Sequence, residues 1–373
     1  MTVRVARSGR IPKHRQVYGA LERGIRSGRW AGGDRLPSEA ELVRQFGTSR
    51  ITVGRAVRDL QQAGLVERRA GSGTFVRRAP PGAALSFGLL IPDLGETEIF
   101  EPICQGMMAS PLARAHALLW GSLPGPSTSK EERALELCRQ WVERRVAGVF
   151  FAPLEGTPSR DEVNARVVAT LDAARIPVVL LDRTAVPYPG RGHHDLVGID
   201  NRRAGFLVAD HLLEAGARRV AFAAVPDAAA TVDLREAGWR EALARRGLPA
   251  DPALSARLDP ADPAAVRAWM EAARPDGIAC ANDRTAARLM HALLALGVEV
   301  PGQVRMAGID DAEYAALLPV PLTTLRQPTR QIGAAALAAM LDRVAGVDLP
   351  PRDILLQGTL VVRRSSGTPA GGR

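Results

Sequence analysis

The sequence predicts an α/β chain in two parts: a small N-terminal domain of helices ending in a β-hairpin, then a large doubly wound domain in two lobes. Three observations lead there. At 373 residues the chain exceeds one ordinary domain and fits one small unit plus one large. Its positive charge is confined to one end, since residues 1–78 carry 17 Lys and Arg against 6 Asp and Glu, whereas residues 79–373 carry 32 against 34. From Leu85 onward, short apolar runs at 85–91, 115–121, 148–152, 177–182, 219–224, 276–281 and 304–309 alternate with helical stretches, as buried parallel strands alternate with their crossover helices.

A net charge of +11 on 78 residues is the electrostatic footprint of a nucleic-acid binder, whose affinity rests on displacing counterions from phosphates. Cys104, Cys138 and Cys280 are odd in number and far apart, so neither a disulfide framework nor a structural zinc is expected, and a reducing compartment follows. No apolar run reaches the roughly 18 residues of a membrane span, and the Arg-rich N-terminus lacks the apolar core of a signal peptide. The expected location is the cytoplasm.

In the first domain, Val17, Leu21 and Ile25 recur every fourth position on one face of a helix over 13–27, closed by Gly28. A loop with Gly32, Gly33 and Pro37 follows. Ser38, with Glu41 three residues on, has the spacing of a capping box for a short helix through Phe46, and Gly47 makes a turn. A third helix is predicted from about Ser49 to Ala63, with Val53, Ala56, Val57 and Leu60 inward and Arg50, Thr52, Arg55, Arg58 and Asp59 outward. So short a turn between helices places the second of them in a major groove, with Ser49, Arg50 and Thr52 at its N-terminus against base edges. Arginine matches the paired acceptors of guanine. Residues 65–69 and 74–76, joined by Ala70-Gly71-Ser72-Gly73, read as a hairpin whose small tip can enter a minor groove.

The run LPSEAELVRQFGTSRITVGRAVRDLQQAGLVERRAGSGTFV resembles the winged helix-turn-helix signature of the GntR regulators. The resemblance implies that Ser38, Ser49, Arg50, Thr52 and the wing residues Gly71, Ser72 and Gly73 meet operator DNA, with Arg55 a further candidate, and that a dimer reads a near-palindromic site. Two positions depart from the pattern: Ala40 and Gly54 stand where the family often carries arginines that touch DNA. The operator is therefore expected to differ from the family's commonest one.

Residues 79–84, with two prolines and a glycine, read as a linker. In the large domain, ligands are expected beyond the carboxyl ends of the strands, and those positions are polar: Asp182-Arg183, Asn282-Asp283, Asp310-Asp311 and Arg326-Gln327. Such groups can bracket the hydroxyls of a small polyol. Phe100, after the first strand, is the candidate aromatic wall. Asp200-Asn201 is read as a helix cap. His193-His194 lies in a Pro/Gly-rich loop with no carboxylate or cysteine at ligand spacing, so no metal site is expected.

The segments GIDNRRAGFLVADHLLEAGARRVAFAA, LREAGWREAL, GIACANDRTA and VRMAGIDDAEYA resemble the LacI regulators and periplasmic sugar-binding proteins over residues 85–365. That resemblance implies an effector site of Phe100, Asp182, Arg183, Arg235, Asn282, Asp310 and Gln327, and an effector domain that also dimerises the chain. The combination is similar to the arabinose-repressor type of GntR regulator. It implies a repressor released by sugar; the alternatives are the same DNA-binding role with a different small-molecule effector acting as corepressor, and, behind that, a sugar-binding protein or enzyme without a DNA role. The two carboxylates and two guanidiniums of the site cancel, which favours a neutral monosaccharide over a sugar phosphate, and the Asp182-Arg183 pair resembles ribose- and arabinose-class sites, which implies a pentose first. No GxSxG elbow, P-loop or HExxH occurs, so an enzyme is not expected, nor any cofactor.

Overall fold

The computed structural model describes residues 12–26, 29–30, 33–69, 72–76, 84–92, 94, 98–121 and 129–367. Gly28, Gly32, Gly71 and most of the predicted linker, residues 79–83, lie outside the described residues. The chain divides into two units, residues 1–84 with 345–348 and residues 85–344 with 349–373.

In the small unit, α1 (Lys13–Arg26), α2 (Glu39–Phe46) and α3 (Arg50–Gln62) precede an antiparallel hairpin of β1 (Val66–Arg69) and β2 (Gly73–Val76). Val17 and Leu21 of α1, Leu42 of α2, and Val53, Ala56, Val57 and Leu60 of α3 form one core closed by Val66 and Val76. The caps are those the residue spacing predicts. Ser38 and Glu41 form a reciprocal capping box, and Gly47 ends α2 at φ +56°, the left-handed conformation that glycine adopts without strain.

The large unit has two six-stranded sheets, each one lobe. The first lobe contains β3 (Ser86–Leu90), α4 (Phe100–Ala109), β4 (Ala117–Trp120), α5 (Lys130–Arg144), β5 (Gly148–Phe151), α6 (Arg160–Ala173), β6 (Val178–Leu181) and β7 (Asp195–Ile199). The second contains α7 (Asn201–Glu214), β8 (Val220–Ala224), α8 (Ala230–Arg245), β9 (Ser255–Arg257), α9 (Pro263–Ala273), β10 (Gly277–Cys280), α10 (Asp283–Ala295), β11 (Arg305–Asp310) and β12 (Thr323–Arg326). The chain then returns through α11 (Thr329–Val344) to β13 (Asp353–Leu356) in the first sheet and ends on β14 (Thr359–Val361) in the second. Strand order is β13-β7-β6-β5-β3-β4 in one and β14-β12-β11-β10-β8-β9 in the other. All neighbours are parallel except β12 with β14. Three crossings therefore join the lobes, after β7, after β12 and after β13.

Each lobe is tightened by a pair of glycine-faced helices. In the second lobe, a Cβ on Gly205 of α7 would lie 1.9 Å from the carbonyl oxygen of Arg235 on α8, and one on Gly238 would lie 1.9 Å from that of Arg202. Gly106 of α4 and Gly333 of α11 meet in the same reciprocal way in the first lobe. Only glycine permits backbones so close, and the contact of α7 with α8 is what sets Arg235 beside the start of α7. No helix among the described residues is long and apolar enough to cross a membrane.

Candidate functional sites: a DNA-reading helix and an effector cleft

At the start of α3, Ser49 is the N-cap: its Oγ accepts from the Thr52 amide at 3.3 Å and lies 2.9 Å from Thr52 Oγ1. Thr52 is thereby fixed on the first turn. Between them Arg50 stands out with its side chain 84% exposed, its Nε 3.5 Å from Glu39 Oε2. Ile51 is 81% exposed, a large apolar side chain at a helix tip where burial would be the default. Arg55 and Arg58 are exposed on the same helix. Ser72 closes the wing turn by its amide to Arg69 O at 3.0 Å. Gly73, at φ +118°, lies so close to Arg35 that a Cβ would meet Nε at 2.8 Å. Arg69 lies over the Phe75 ring, 4.6 Å from its centroid, and Arg68 pairs with Glu39, the residue that faces Gly54. Arg35, Ile51, Arg68 and Arg69 lie beside Arg50, Thr52 and the wing residues Ser72 and Gly73 and extend the candidate DNA-facing surface.

In the large unit, a cavity of about 310 Å³ opens between the lobes, at the small end of the range for ligand sites of about 300–1,000 Å³. Glu98, Lys130 and Glu155 line it from the first lobe; Asn282, Arg284, Arg288 and Asp310 line it from the second. Arg160 bridges the lobes beside it, donating from Nη1 to the carbonyls of Asp227 at 2.7 Å and Ala228 at 2.8 Å.

Of the effector residues expected from sequence, Asn282 and Asp310 line this cavity directly, and four others form the layer behind. Asn282 caps α10, accepting from the Thr285 amide at 2.8 Å through Oδ1, so its amide nitrogen is what it can offer a ligand. Asp310 accepts from Gln327 Nε2 at 2.7 Å. Arg183, on the Asp182 side, pairs with Glu155 at 2.8 Å. Arg235, almost fully buried, donates from Nε to Asn201 Oδ1 at 2.8 Å and from Nη1 to Ala281 O at 2.6 Å. Phe100 is placed otherwise than expected. It is fully buried and absent from the cavity lining; its ring instead lies under the Arg183 guanidinium, 5.5 Å away. The first residue of α4 points into the lobe core because Ile103 and Met107 continue the same buried face.

Two acceptors in this layer are unsatisfied. Asp182 Oδ1 and Gln327 Oε1 are buried with no hydrogen-bond partner among the described residues. Buried oxygens left bare cost free energy, so they mark where a ligand's donors belong. Backbone strain coincides with them: Asp182 has φ +67°, Asp310 +125° and Asp311 +55°, conformations uncommon for residues with a side chain. Burial raises the Asp182 carboxyl, against the pull of Arg183 and Arg235. It likewise pushes Asp310 up to about 7, partly offset by Arg235 and by the Gln327 hydrogen bond. Asp283, whose Oδ1 accepts from Thr324 Oγ1 at 2.6 Å, is driven by burial and then by Asp310 to about 8. Glu155 goes the other way: burial opposes its charge, but the Arg183 guanidinium holds its carboxyl below the usual range.

Sequence reasoning missed several members. Asn201, taken with Asp200 as a helix cap, divides the work: Asp200 Oδ1 caps α7 at the Arg203 amide, while Asn201 is buried against Arg235. Tyr314 places a buried hydroxyl close to Glu98, Asp283 and Asp310, and burial, then the charges of these acids, raise its pKa. Lys130, Arg284 and Arg288 also reach the cavity.

Residues 13–76 match the model of the bacterial regulatory proteins of the gntR family, and residues 209–366 match a periplasmic binding protein-like domain. The chain is a GntR-type helix-turn-helix domain fused to a periplasmic-binding-protein-like domain. It is similar to the arabinose metabolism transcriptional repressor of Geobacillus stearothermophilus, at 26% identity over 95% of this chain and 98% of that one. The histidine utilization repressor of Klebsiella aerogenes is 48% identical over 79 residues, covering 21% of this chain and 33% of that one. Among solved structures, a complex of the transcriptional regulator CelR with cellobiose superposes with a TM-score of 0.63 at 26% identity, covering 85% of this chain and 91% of that one. The GntR match falls on the helices and wing described above, and the binding-protein match spans Arg235, Asn282, Asp310 and Gln327.

Proposed function

We propose that this chain is a sugar-responsive transcription repressor, whose GntR-type unit binds operator DNA as a homodimer and whose two-lobed domain binds a small neutral sugar that releases it. The observation that carries the reading is the pair of bare buried acceptors, Asp182 Oδ1 and Gln327 Oε1, in the layer directly behind the lining of a polar inter-lobe cavity, in a chain that also bears a GntR-type helix-turn-helix. Sugar hydroxyls are donors and acceptors at once and satisfy such groups.

The relatives support the sugar class, one being named for arabinose metabolism and a solved one holding cellobiose; the size of the cavity favours a pentose or another small sugar. Sugar drawn between the lobes closes them about the three crossings, and linkage makes sugar binding and DNA binding mutually opposed. The role is regulatory rather than enzymatic, exerted on chromosomal DNA in the cytoplasm.

The test is fluorescence anisotropy on a duplex that the full-length protein selects from a random pool. The complex is challenged with free pentoses, hexoses, disaccharides and sugar phosphates. Release by one neutral sugar is the expected outcome. A phosphate ester acting at one tenth the concentration of any free sugar would overturn the neutral-ligand reading, and DNA binding indifferent to all of them would overturn the sugar reading.

A further inference from the structure

On the first lobe, away from the cleft, the fold gathers three metal-binding side chains that are remote or unpromising in sequence. Asp172 is the penultimate residue of α6, which leads into the amino end of β6. His193 and His194 end the long connection from β6 and immediately precede the amino end of β7. Because β6 and β7 are parallel neighbours, these two chain segments arrive at the same edge of the sheet. The sequence-based expectation that no carboxylate stands near the histidines is therefore corrected: Asp172 Oδ2 is 2.9 Å from His193 Nε2 and 3.5 Å from His194 Nε2.

Consecutive side chains in extended backbone point to opposite sides. Here the chain bends at 193–194, following Gly192 at φ +71°, and the two imidazoles lie side by side with ring centroids 4.2 Å apart. One ligand atom from each of the three residues falls within 4.8 Å of the others. A hydrogen-bonded Asp–His pair would account for His193 alone. His194 shares that carboxylate less closely: its side chain is only 10% exposed, and its buried Nε2 lies 3.5 Å from Asp172 Oδ2 without a hydrogen bond of ordinary geometry among the described residues. Arg191 does not occupy the place, since its guanidinium is committed to Asp353 at 2.6 Å and to the His194 carbonyl at 2.6 Å.

We propose that Asp172, His193 and His194 form a binding site for a divalent transition metal of the zinc class. Two imidazole nitrogens and one carboxylate oxygen are borderline donors suited to Zn²⁺, with bonds near 2.0–2.2 Å; at tetrahedral angles such bonds set donor atoms roughly 3.3 Å apart. The two separations from Asp172 bracket that value. The exposed side of His193, 69% accessible, leaves the fourth position to water. A bound ion ties the end of α6 to the connection 182–194, the far end of which carries Asp182 and Arg183, so it acts as a staple on that connection rather than as part of the effector cleft.

The experiment uses the full chain without a histidine tag, stripped with chelator and titrated with Zn²⁺ against a chromophoric competitor, and separately loaded with Co²⁺ for its visible absorption. The wild type is expected to bind one Zn²⁺ equivalent, to melt at a higher temperature with the metal, and to give the intense spectrum of a low-coordinate Co²⁺ site. His193→Ala, at an exposed position, and the isosteric Asp172→Asn are each expected to weaken Zn²⁺ by at least about tenfold and to abolish the Co²⁺ band, with circular dichroism and operator binding unchanged. No stoichiometric Zn²⁺ binding by the wild type, or binding that both variants retain, would overturn the proposal.

Discussion

Asp182→Asn separates a ligand-binding carboxylate from a structural one. The Asp182 side chain is 5% exposed, its Oδ1 has no partner among the described residues, and Arg183 Nε is 3.8 Å from its Oδ2. A buried polar atom left bare costs about 1–3 kcal/mol and more when charged. Asparagine keeps the shape, is among the residues that best tolerate φ +67°, and removes the charge, while Arg183 retains Glu155 at 2.8 Å. The ligand-free domain should therefore gain about 1 kcal/mol, which raises its melting temperature by roughly 2–4 °C. In the complex a hydroxyl that met a carboxylate meets an amide instead. Hydrogen bonds to charged groups contribute about 1.5–3 kcal/mol against 0.5–1.5 for neutral ones, so affinity should fall by about 1–2 kcal/mol, or roughly 5–30-fold. Differential scanning calorimetry without ligand, and isothermal titration with the sugar that most stabilises the wild type, read the two effects. A lower melting temperature with unchanged affinity would show that Asp182 serves the fold as the partner of Arg183, and the argument from bare acceptors would fail.

Arg50→Ala should cost about 1–3 kcal/mol of operator affinity and relax base preference, because the guanidinium is exposed at the tip of α3; anisotropy titrations against matched and mismatched duplexes measure both, and equal affinities would refute it. Stability of the ligand-free protein should fall as pH rises from 5 to 9. Asp310 near 7 and Asp283 near 8 hold protons in the folded state that the unfolded chain has released above about pH 4, so their contribution is complete below that pH and is lost through 7 to 8. A melting temperature that climbs over this window would contradict the buried-acid assignment. Gly205→Ala forces its new methyl into the Arg235 carbonyl 1.9 Å away; parting α7 from α8 should cost about 1–3 kcal/mol and weaken sugar binding with it, and an unchanged urea midpoint would refute the close packing.

Much of this protein could be read from local pattern. Ser38 with Glu41, Gly47 after Phe46, and the period of Val53, Ala56, Val57 and Leu60 announce caps and helices because those interactions close within one or two turns. The apolar runs announce strands for the same reason: β5, β6, β8 and β10 are buried along their whole length. Strand β7 was missed because Asp195 and Gly198 interrupt its apolar run, yet Asp195 is buried there by Arg343 and Arg352, about 150 residues away in sequence. Phe100 sits in the lobe core rather than the cleft, and an aromatic residue in a strand-end loop offers no sequence sign of which way it faces.

What the sequence by itself determined was the alternation of strands and helices, the split of charge between the two units, and the polar identity of the strand ends. Only the tertiary structure decided which of those polar groups meet. Arg235 reaches Asn201 because two glycines let α7 and α8 touch, and Asp172 reaches His193 and His194 because parallel strands bring their preceding segments to one edge. Such encounters depend on where separate segments pack, and no local periodicity encodes them.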